Sequence, residues 1–111
     1  MKTIKFKVQG SNPEPYTVTF VHNEDTLTAF CTCEAGENGI HCKHRLRILN
    51  GISENIVSEN IKDIEIILSW LPGTRLESAI NSVKIAEINI LKAKKSLSSA
   101  KHELSSALHG R

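Results

Sequence analysis

A chain of 111 residues has room for one domain, or for one small domain with an appendage. With 40% apolar residues, 23% charged residues and a net charge of +2, the composition is that of an ordinary folded protein, and bulk charge does not by itself require a polyanionic partner. No run of about 18 apolar residues could span a membrane, and the opening MKTIKFKVQG has no apolar signal core, so an intracellular setting is expected.

The first third alternates with a period of two. Ile4, Phe6 and Val8 interleave with Thr3, Lys5 and Lys7, which is the pattern of a half-buried strand. The turn-rich GSNPEP follows, then a second alternating run at Tyr16, Val18 and Phe20. After the polar HNED comes a third run, TLTAFCTC. Connections this short predict a three-stranded antiparallel meander. The loop EAGENG holds two glycines and can fold back tightly. CKHRLRILNG then reads as a short helix with Leu46 and Leu49 on one side and Gly51 as its stop.

Beyond it, Val57, Ile61, Ile64, Leu68 and Leu71 keep a three-four spacing that predicts a helix of about 19 residues, opened by Ser53 and closed by Pro72 and Gly73. Thr74 and Glu77 form a capping box for a last helix from Arg75 to about His109. Along it Leu76, Val83, Ile90, Leu97 and Leu104 recur every seventh residue, as do Ala79, Ala86, Ala93, Ala100 and Ala107. This large-then-alanine heptad is the pattern of a closely packed coiled coil. The expected class is α+β: a small antiparallel sheet and short helix over residues 1–51, then a two-helix coiled-coil region over residues 52–111.

All three cysteines and two of the five histidines fall within FCTCEAGENGIHCKHRLRIL. An odd cysteine count disfavours a disulfide framework. Cys31 and Cys33, two apart on an extended segment, point to the same side. A chain reversal through the loop returns Cys42 and His44 to them. Three sulfurs and one imidazole match the closed tetrahedral set of a structural Zn2+ site. His41 is the rival fourth ligand, but neighbours in sequence seldom both turn toward one ion, so His44 is expected. Four protein ligands leave no open coordination position, and an enzyme is not expected.

This stretch resembles the SWIM zinc finger, whose pattern is C-x-C, a variable gap, then C-x-H. The resemblance covers about residues 4 to 50 and extends to the strands YTVTF and TLTAF. It implies a small unit around one zinc held by Cys31, Cys33, Cys42 and His44, with a role in binding DNA or proteins beside recombination or transposition machinery. One position departs from the pattern: the residue after the histidine, usually apolar in the family, is Arg45. With Lys43 and Arg47 it forms an expected basic edge, and Lys5 and Lys7 add charge on the polar face of the first strand. These five residues are the expected DNA contacts, through phosphate. The alternative is a pure protein-interaction adaptor. In either case the alanine seam of the last helix predicts a homodimer.

Overall fold

The computed structural model describes residues 1–111. The three alternating runs form β1 (Lys2–Val8), β2 (Tyr16–Asn23) and β3 (Thr26–Cys31), an antiparallel meander in the order β1-β2-β3. Phe6 lies opposite Val18, which lies opposite Cys31; one step along, Ile4, Phe20 and Ala29 align. Because side chains alternate across a strand, this register gathers Phe6, Val8, Val18, Phe20, Leu27 and Cys31 on one face. Phe6, Val18 and Phe20 are fully buried there, each stabilising the fold by roughly 1.5–3 kcal/mol. The Phe6 and Phe20 rings meet edge to face at 5.9 Å. The other face carries Lys5, Lys7, Thr17, Thr19, Thr28 and an exposed Phe30.

Four helices follow: the single turn α1 (Glu34–Glu37), α2 (Lys43–Leu49), α3 (Ile64–Trp70) and α4 (Arg75–Leu108). The class is α+β. α2 packs beside β3 and buries Ile48 and Leu49, while Leu46 stays half-buried. It ends as expected at Gly51, which takes φ +80°; Gly51 N–H donates to the Ile48 carbonyl and Ile52 N–H to that of Arg47. This closes the last turn with a left-handed residue that glycine adopts without steric cost.

The helix expected over residues 53–71 is much shorter. Only a 3₁₀ turn (Ile61–Asp63) and the seven residues of α3 are helical. The residues before them have a stronger use for their backbone. Gln9 N–H donates to the Asn55 carbonyl and Val57 N–H to that of Lys7, Ile56 bridges Val8, and Lys7 N–H donates to Ser58 Oγ. Asn60 Nδ2 reaches the Lys5 carbonyl. Residues 55–60 thus cover the open edge of β1, whose unpaired groups would otherwise face solvent. Ile64 and Ile67 are buried, and Trp70 stacks on His22 of β2 at 4.9 Å. The sheet, α1, α2 and α3 therefore belong to one compact unit, Met1–Glu77, which extends past residue 51 because the segment after it pairs with β1.

Ser78–Arg111 is a second unit, formed by the continuation of α4. Thr74 Oγ1 accepts from Glu77 N–H, as a capping box requires, while Glu77 Oε1 accepts from Gly73 N–H, one residue earlier than the usual reciprocal bond. From Asn81 to Arg111 every residue is exposed except the half-buried Ser106. No helix is long and apolar enough to cross a membrane.

Candidate metal centre

β3 delivers Cys31 at its last position, and the chain stays extended to Cys33, whose φ of −67° and ψ of 164° precede α1. Cys33 caps α1: its Sγ accepts from Gly36 N–H at 3.3 Å. The loop then returns to Cys42, which sits at the start of α2 with extended backbone, so that His44 projects inward from the first helical turn. One donor atom from each of Cys31, Cys33, Cys42 and His44 lies within 4.8 Å of the others. All four residues are buried.

The spacing suits a small cation. A zinc–sulfur bond of about 2.3 Å and a zinc–nitrogen bond of about 2.0–2.1 Å at a tetrahedral angle place sulfur about 3.6 Å from nitrogen, close to the 3.8 Å between Cys31 Sγ and His44 Nδ1. The His44 ring faces the cluster through Nδ1 and packs against Tyr16, with ring centroids 4.9 Å apart. His41, the rival ligand, is exposed and outside the cluster.

The electrostatics suit it as well. Burial, then the charges of Lys43 and Arg47, hold the His44 imidazolium below its ordinary range, so the neutral, metal-binding form dominates at pH 7. Burial pushes the Cys31 thiol up to about 12. Burial also raises Cys42, but hydrogen bonds from Arg45 and Cys33 more than offset it, and the net shift is downward. The donor chemistry and the spacing both fit zinc, which would supply a fixed tetrahedral node joining β3, the loop and α2.

Arg45, expected at the basic edge, turns its guanidinium to acceptors around the cluster. Its Nε donates to Cys42 Sγ at 3.2 Å, one terminal nitrogen donates to the Ala29 carbonyl at 3.1 Å and the other to the Ile40 carbonyl. Lys43 is exposed and Arg47 half-buried. Lys5 and Lys7 are exposed on the outer face of the sheet, where Lys7 Nζ donates to Thr17 Oγ1 at 2.6 Å. Arg45 was legible as a partner of Cys42 from its spacing: residues three apart on a helix share a face. Gly36 carried a similar signal, three residues after a cysteine that opens a helical turn.

Comparison with known families agrees with this geometry: residues 6–50 match the SWIM zinc finger family model. The matched segment takes in all four clustered residues and ends one residue after α2. No curated protein and no solved structure matches the chain.

Proposed function

We propose that the SWIM zinc finger of residues 6–50 is the organising node of a binding module, and that copies of the chain associate through α4. The zinc role is structural: Cys31, Cys33, Cys42 and His44 use all four positions of a tetrahedral ion. The observation that carries association is the exposed length of α4. Val83, Ile85, Ile88, Ile90, Leu91, Leu97 and Leu104 are each more than half exposed. An isolated helix of this kind is marginal in water, and one that is apolar on several sides needs neighbours. The alanine of each heptad permits close approach of a second backbone, and two-fold pairing of identical chains is the commonest arrangement.

A protein is the favoured partner of the finger itself. An apolar groove of about 360 Å³ opens beside the metal cluster, lined by Leu27, Ala29, Phe30, Leu46, Leu49 and Leu76. Most of its lining side chains are apolar, with Thr28, His41, Cys42 and Arg45 among the rest, which suits a protein surface. Light scattering on the zinc-loaded chain, followed by capture of partners with and without nuclease, tests both halves. A monomer at high micromolar concentration with α4 still helical refutes the association. Partners that all vanish on nuclease treatment refute the protein reading.

One observation favours a second reading, DNA binding. The outer face of the sheet presents Lys5 and Lys7 among threonines, with no carboxylate in its register. Affinity carried there, with Lys43 and Arg47, would fall steeply with salt. Titration of duplex DNA at two salt concentrations decides: no binding at low salt removes this reading.

A further inference from the structure

We propose that Arg45 is a positioning residue of the metal centre, clasping the Cys42 sulfur to the two backbone segments that lead into the ligand pairs. Its guanidinium reaches three places at once. Nε donates to Cys42 Sγ at 3.2 Å, and the terminal nitrogens donate to the carbonyls of Ala29 and Ile40. Ala29 lies in β3 two residues before Cys31, and Ile40 lies in the loop two residues before Cys42. A single planar cation therefore ties the strand, the loop and the helix that together deliver the sulfurs.

Charge gives the second reason. Three thiolates, a neutral imidazole and a divalent cation leave one net negative charge in a buried cluster. Burying an uncompensated charge is costly, and the guanidinium cancels it at hydrogen-bond distance. Arginine suits the place because its fork holds several acceptors in one plane and keeps its proton, which a lysine point charge does not reproduce. The three contacts also separate Arg45 from the basic edge: a side chain with its fork committed inward does not engage a phosphate outward.

A donor on a metal-bound thiolate lowers the reactivity of that sulfur, and groups that support ligands typically change metal affinity about 10- to 100-fold when removed. The effect of Arg45 is therefore specific to Cys42, whereas a merely structural role would loosen all three cysteines together. The inference rests on the four residues holding zinc, and the experiment reports that point first. The full-length chain is loaded with zinc, its metal content is measured, and it is treated with N-ethylmaleimide while modification of each cysteine is followed by mass spectrometry. In Arg45→Leu, Cys42 is expected to gain about tenfold in rate relative to Cys31 and Cys33, and zinc affinity against a competing chelator is expected to fall about tenfold. Arg45→Lys keeps the charge, loses the fork and gives a smaller rise of the same selectivity; it carries the test should the leucine variant not fold. An unchanged ratio among the three cysteines in the folded variant, whether all rise or none does, overturns the proposal. A wild-type chain that takes up no zinc overturns the metal reading itself, and is seen before any variant is compared.

Discussion

The backbone of Gly36 presses against Cys31: a Cβ at Gly36 would fall 2.2 Å from the Cys31 carbonyl oxygen. The loop after the first ligand pair turns back on β3 so closely that only glycine fits, and the same turn aims Gly36 N–H at Cys33 Sγ. Gly36→Ala should therefore displace the loop that carries Cys33. The expected cost is about 1–3 kcal/mol of stability with weakened zinc affinity, read by thermal unfolding of the zinc-loaded protein. An alanine variant that matches wild type in both would mean that the loop relaxes freely.

Losing a ligand should be far more damaging than losing its neighbour. Cys33→Ser, Cys42→Ser and His44→Ala should each abolish tight zinc binding and remove much of the stability of Met1–Glu77, since zinc in small finger peptides contributes on the order of 10 kcal/mol. His41→Ala should be mild. Trp70, the single tryptophan, is stacked on His22 within the same unit, so its emission reports the loss directly. Retention of zinc by His44→Ala together with its loss from His41→Ala would reverse the assignment.

Acid and base should act on the site in opposite ways. Burial first, then Lys43 and Arg47, hold His44 below its ordinary 6.5. The unfolded chain therefore binds this proton more readily than the folded one. The stability His44 contributes is present above pH 6.5 and is lost as pH falls through its depressed value. Cys31 behaves conversely: burial pushes its thiol up to about 12, and zinc must displace that proton. Zinc affinity should thus keep climbing with pH past about 9, where an ordinary thiol is already ionised. Competition titrations between pH 5.5 and 10 check this, and a plateau below pH 9 would contradict it.

Association through α4 should depend on its small residues. Ala93 and Ala100 lie three residues behind Ile90 and Leu97 in the seven-residue repeat. Ala93→Leu with Ala100→Leu adds bulk where backbones are expected to approach, and should raise the dissociation constant of the pair at least tenfold, which corresponds to about 1.4 kcal/mol. Sedimentation equilibrium measures it; a double variant that associates as tightly as wild type places the contact on another side of the helix.

Local pattern carried far in this chain. Alternation at Ile4, Phe6 and Val8 marks β1, the heptad and the Thr74 cap mark α4 to within a residue or two, and Cys31 and Cys33 share a side because successive residues of an extended chain alternate. These features depend on backbone periodicity and on donor chemistry, which sequence displays directly. What tertiary structure decided were the competitions between partners distant in the chain. Residues 55–60 keep an amphipathic spacing, yet β1 offers their N–H and carbonyl groups an open edge some fifty residues away, and that pairing displaces the first half of the expected helix. Arg45 reads as a surface cation until the fold brings Cys42 Sγ and the Ala29 and Ile40 carbonyls around it. A guanidinium goes to whichever acceptors are nearest and least hydrated, and only the closed loop between β3 and α2 determines which those are.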